Sequence, residues 1–121
     1  MFSDPETVTI NAVGKNLIRI NDSEPYASEY RLIEATGEYS MKLRNTSYVR
    51  AGTNVKVSRH NVELIHTVYG ATTDDPNTIR KAYIVFENDQ GDSFTDVEDL
   101  VTGLVDFLTA ANITKLLNWE S

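Results

Sequence analysis

The chain has no cysteine, which excludes disulfides, a thiolate nucleophile and any Cys-ligated zinc site. It has no apolar run approaching the ~18 residues of a membrane span. Its opening, Met1-Phe2-Ser3-Asp4-Pro5-Glu6, lacks a basic segment leading into an apolar one, so no secretory signal is expected. Apolar residues are also scarce. Their share is 40%, and counting the six Gly in place of the six Tyr leaves it unchanged, below the roughly 45–50% of ordinary globular chains. So thin a core in 121 residues implies a single domain, 1–121, that oligomerises to complete itself. Basic residues are in the minority, eleven against eighteen acids, for a net charge of −7. Bulk charge therefore argues against nonspecific attraction to nucleic acid or membrane.

What is present is mostly strand. Residues 7 to 12 alternate, with Val8, Ile10 and Ala12 on one side. Val13-Gly14-Lys15-Asn16 supplies a turn, and 17 to 21 returns, which predicts a hairpin. Residues 29–35 and 39–45 form a second pair around Thr36-Gly37-Glu38, followed by a loop over 50–54. The run 56–69 has strand composition without a breaker. Fully extended it would span about 46 Å, long enough to predict a bend or a split into two strands. A polar loop over 70–78 precedes the last strand, 79–87.

The period then changes from 2 to 3.6. Val97, Leu100, Val101, Leu104, Val105, Leu108 and Ala111 form one amphipathic stripe, with a capping box at Thr95-Asp96-Val97-Glu98. Asn112 and Thr114 can end this helix and start a short second one carrying Leu116, Leu117 and Trp119. Strands first and helices last give an α+β class with an antiparallel sheet. Some 26 helical residues are few for covering five or six strands, so helices laid across a partner's sheet fit the pattern better. Gly103 marks a place where such helices could approach closely.

The net acidity hides a segregation. From Lys42 to Lys81 there are seven basic side chains and three acids, whereas from Glu87 to Asp106 there are seven acids and no base. Alternation places Ser40, Lys42 and Arg44 on one side of their strand, opposite Tyr39, Met41 and Leu43. It places Arg59, Asn61, Glu63, Thr67 and Tyr69 opposite Val62, Leu64 and Val68, and Lys81, Tyr83, Val85 and Glu87 opposite Ala82, Ile84 and Phe86. Cations, amides and an aromatic ring on one sheet face suit single-stranded RNA, with the cations neutralising phosphate and the ring stacking an unpaired base. The same alternation also describes an ordinary solvated face of a one-sided sheet.

Nothing points to catalysis. The two histidines, His60 and His66, are six apart on a strand and so share the apolar face, as packed or interface residues. Phosphate-binding glycine loops, nucleophile elbows and zinc-protease motifs are missing. No cofactor is required by any motif. The 87–92 run alternates oxygen ligands like a calcium loop without its distal Glu. A structural calcium ion at subunit interfaces is the one metal role the acids leave open.

The strings Glu29-Tyr30, Ser58-Arg59-His60-Asn61-Val62-Glu63, Thr67-Val68-Tyr69, Arg80-Lys81-Ala82-Tyr83-Ile84-Val85 and Leu117-Asn118-Trp119-Glu120-Ser121, in that order, carry a resemblance. The chain resembles the coat proteins of the small single-stranded RNA bacteriophages (levivirus-type), nearest to Caulobacter-infecting members. The resemblance implies an N-terminal β-hairpin, a five-stranded antiparallel sheet and two C-terminal helices, in an intertwined dimer whose helices cover the partner's sheet. It implies a virion structural protein, made in the bacterial host cytoplasm, that assembles into an icosahedral shell and packages single-stranded RNA on the inner sheet face. Translational repression through an RNA hairpin belongs to the same expectation. The matching positions imply RNA contacts from Lys42, Arg44, Arg59, Asn61, Glu63, Lys81 and Tyr83, with Tyr83 as the stacking ring. Val85 departs from a polar residue found in relatives, which weakens the case for hairpin-specific reading. The 70–78 loop, with Asp74-Asp75, corresponds to the loop that gathers at symmetry axes. A small acidic dimeric binding or adaptor module, without nucleic acid, is the alternative.

Overall fold

The computed structural model describes all 121 residues. Six strands, β1 (Glu6–Ile10), β2 (Val13–Asn21), β3 (Ala27–Ile33), β4 (Gly37–Val49), β5 (Lys56–Val68) and β6 (Thr78–Asp89), precede helices α1 (Phe94–Phe107) and α2 (Ala110–Leu117). The strands pair antiparallel with their sequence neighbours in one sheet of order β1-β2-β3-β4-β5-β6. The expected separation into a hairpin and a five-stranded sheet gives way to six continuous strands. The reason lies in β2, whose first half pairs with β1 and whose second half pairs with β3.

The hairpin turn is Asn11-Ala12, with both residues at positive φ (51° and 62°) and Ile10 opposite Val13. This is the backbone of a two-residue primed turn, which matches the twist of the flanking strands. Gly14 therefore lies within β2, and Ala12 has no place on a strand face. The expected split of β5 is also absent. β5 is paired along its whole length by β4 on one side and β6 on the other, so its backbone groups are satisfied without a break.

The core forms where the hairpin lies over the apolar face of β3 and β4. Leu17 and Tyr30 are completely buried beside Tyr39, Met41 and Leu43, with Val8, Ile10, Leu32 and Leu64 packed around them. A register shift between Arg19 and Asn21 interrupts the β2–β3 ladder beside it. Arg19 anchors the N-terminal segment there, donating to the Tyr30 hydroxyl (2.9 Å) and to the Phe2 carbonyl.

The helices begin at caps earlier than those the pattern predicts, two residues before Thr95 for α1 and three before Asn112 for α2. Ser93 caps α1, its hydroxyl accepting from the Asp96 amide. The long stripe breaks at Leu108, because Thr109 caps a new helix by accepting from the Asn112 amide. The Asn112 side chain in turn donates to the Phe107 carbonyl, terminating α1. Ala111 thus belongs to α2, and Trp119 lies beyond it at φ 63°. No single helix is long and apolar enough to cross a membrane.

Neither helix contributes a buried residue. Leu100 is 74% exposed and Trp119 95%, and nothing lies within 4 Å of where a Gly103 Cβ would stand. Only seven residues of 121 are buried, and the chain exposes 9247 Å². A compact monomer of this mass would expose roughly 6,600 Å².

Candidate nucleic-acid interface

Register assigns every strand residue to a face, because directly paired residues point the same way. Four rows cross one side of the sheet. Glu29, Lys42, Glu63 and Tyr83 form the first, and Ala27, Arg44, Asn61 and Val85 the second. Arg31, Ser40, Ile65 and Lys81 form the third, while Thr46, Arg59 and Glu87 form the fourth. All seven sequence-predicted residues therefore share this side. Tyr39, Met41, Leu43, Val62, Leu64, Ile84 and Phe86 occupy the other, together with both histidines.

The polar side divides by charge pairing. On its β5–β6 half the cations are engaged. Lys81 Nζ lies 2.8 Å from Glu63 Oε1 and 5.7 Å from the centroid of the Tyr83 ring. Arg59 Nε is 3.8 Å from Glu87, whose other carboxylate oxygen accepts from the Tyr48 hydroxyl at 2.9 Å. Arg50 pairs with Asp89. On the β3–β4 half, Arg31, Lys42 and Arg44 have no carboxylate within 4 Å. A shallow cavity of about 140 Å³ opens beside Lys42 and Arg44, between β3 and the loop preceding it.

These pairings shift ionisation in the expected directions. The hydrogen bond from Lys81 holds the Glu63 carboxyl below its ordinary range against the opposing effect of desolvation, and the charges of Lys81, Lys42 and Arg44 add to the lowering. The same bond raises Lys81. Glu87 raises the Tyr48 phenol by accepting its proton in a hydrogen bond. One polar atom is left over: Asn61 Oδ1 is buried with no partner. A buried acceptor without a donor costs about 1–3 kcal/mol.

Arg31 and Tyr48 were missed by the sequence reading. Alternation along β3 was enough to find Arg31. Tyr48 escaped because β4 runs four residues further than expected, to Val49.

The other side holds no chemistry of its own. His66 stacks on Tyr39, with ring centroids 4.1 Å apart, and lies 3.3 Å from Arg80. His60 sits between the Asn45 and Asn88 amides against Phe86. No three metal-ligating side chains converge anywhere in the chain. In the run once compared with a calcium loop, Glu87 and Asp89 are taken by ion pairs, and Asp92 accepts from the Ser93 amide.

A family model for the coat protein of phage phiCb5 matches residues 3–89, which takes in the whole sheet. The chain belongs to the phiCb5 coat protein family. No curated protein matches it significantly. Among solved structures it is similar to a chain of the virus-like particle of Beihai levi-like virus 21, at 15% identity and a TM-score of 0.66. That likeness covers 98% of this chain and 95% of the other, so the fold, helices included, is shared from end to end. This coat protein is therefore a structural subunit of a virus particle and not an enzyme. Coat-family membership sets aside the adaptor alternative.

Proposed function

We propose that this coat subunit works as an intertwined homodimer, made in the bacterial host cytoplasm, whose polar sheet face packages the single-stranded RNA genome. The observation that carries the RNA reading is the convergence of Lys42, Arg44, Arg59, Asn61, Glu63, Lys81 and Tyr83 on one side of the sheet. Cations there neutralise phosphates, Tyr83, 63% exposed, stacks an unpaired base, and the unpartnered Asn61 amide accepts from a base edge. The same face serves as a translational repressor wherever one RNA hairpin fits it better than bulk sequence.

The dimer reading rests on area. The chain exposes roughly 2,700 Å² more than a compact monomer of its mass, or about 5,400 Å² for two copies, at the upper end of what obligate interfaces bury in total. The apolar part of this excess includes the helical stripe and the partly exposed Val62, Ile84 and Phe86 side of the sheet. Each fits the other only in a second copy, since the helices do not pack on their own sheet. A calcium ion at subunit interfaces would have to draw ligands from more than one chain.

Expression followed by size-exclusion chromatography and electron microscopy tests the reading. Particles carrying nucleic-acid absorbance support it. A lone species with protein absorbance only overturns the RNA half, and a monodisperse monomer overturns the dimer.

A further inference from the structure

Among the seven residues grouped above, one has the wrong sign for a polyanion. Glu63 stands in the middle of β5, directly opposite Lys42, and its side chain is only 18% exposed. We propose that Glu63 is an attenuator of RNA affinity: it occupies Lys81 in the free protein and keeps that cation from phosphate until RNA displaces it. This rests on the RNA reading of the face and adds to it a residue whose removal strengthens binding.

The argument is geometric. Glu63 and Lys81 are diagonal neighbours across the β5–β6 ladder, Glu63 pairing with Tyr83 and Lys81 with Ile65. Their 2.8 Å contact pairs the ammonium, and the Tyr83 ring lies 5.7 Å from it. A phosphate whose base stacks on Tyr83 would arrive beside Lys81 and find that cation already held by Glu63. The carboxylate must then give up its partner or repel the newcomer. Depression of the Glu63 carboxyl by three cations shows that its charge is felt by Lys42 and Arg44 as well. Only three cations on this face, all on β3 and β4, have no carboxylate within 4 Å. Affinity is thereby spread unevenly: firm on β3–β4, held back on β5–β6.

The test measures binding of the full chain, freed of nucleic acid, to an oligouridylate across a salt series. Glu63→Gln preserves side-chain size on a polar face. It should bind about five-fold more tightly at 0.1 M salt, with a log–log slope steeper by ~0.7 for the one cation released. Lys81→Met supplies the second arm. In that background the gain from Glu63→Gln should largely vanish, because there is no ammonium left to release. An unchanged affinity and slope for Glu63→Gln, in a wild type that does bind, overturns the attenuator. A gain that survives in full with Lys81→Met does so too, by showing a general charge effect. Failure of the wild type itself to bind at low salt instead overturns the RNA reading of the face.

Discussion

On one side of the sheet the hairpin buries Leu17 against Tyr39 and Met41, while beside that core Val62 is exposed and Ile84 and Phe86 are half-buried. The other side carries the charges, paired or solvated, interspersed with exposed Ile33, Ile79 and Tyr83. The two faces are made by the same strands and differ only in which alternate residue points which way. The first leaves apolar area that the proposed second copy would bury. The second has cations along β3–β4 with no carboxylate within 4 Å, which the proposed RNA would neutralise. Hydrophobic burial is short-ranged and does not depend on salt, whereas charge neutralisation does. The two deficits can therefore be separated by experiment.

The largest effect should come from placing a charge in the helical stripe. Leu104→Asp should abolish dimers and particles in size-exclusion chromatography while leaving strand signal in circular dichroism, because Leu104 is 53% exposed within one chain and packs on none of its strands. Retained particles would show that the stripe is not an interface. Next comes Leu17→Ala beneath the hairpin, expected to cost about 2–5 kcal/mol in denaturant unfolding, since the site is fully buried. Smaller still is Tyr83→Ala, about 1–3 kcal/mol of RNA binding if its ring stacks a base, with no change in assembly without RNA.

The polar face then offers a contrast within itself. Lys42→Ala and Arg44→Ala should each flatten the salt dependence by about 0.7 for one lost phosphate contact. Arg59→Ala should lower it less, because Arg59 already faces Glu87. Equal slopes would mean that the pairs on β5–β6 cost RNA nothing to open. The smallest effect is on acid stability. The Glu63 carboxyl titrates below its unfolded value, so its pair stabilises the fold at neutral pH, and this contribution is lost as pH falls through the folded pKa. Thermal melts of Glu63→Gln should accordingly converge with wild type at acid pH.

Much of this was legible before any coordinates, because alternation and helical period are direct records of which side a residue faces. The assignment of Lys42, Asn61 and Tyr83 to one side needed only that each strand be uninterrupted. What escaped detection depends on local competition that composition does not record. A left-handed turn at Asn11-Ala12 is chosen over the neighbouring Gly14 by the register of Leu17, which must reach the core. The α1–α2 break is set by two side-chain hydrogen bonds, from Thr109 and Asn112, inside a stripe that reads as continuous. The length of β5 is decided by its partners on both sides, which no local pattern contains. The pairings that divide the polar face, the Arg50–Asp89 ion pair and the Tyr48–Glu87 hydrogen bond, join residues far apart in sequence and so became visible only in three dimensions.

The uninterrupted β5 has a consequence for building a closed shell. Thirteen residues bonded on both edges make a plank of about 43 Å that resists flexing along its length. A curved container tiled with such planks must place its bends at the seams. The connection after Val68 folds back tightly, since a Cβ at Gly70 would stand 2.3 Å from the Asp75 carbonyl. A bulkier residue there would disturb this connection before it disturbed the plank itself.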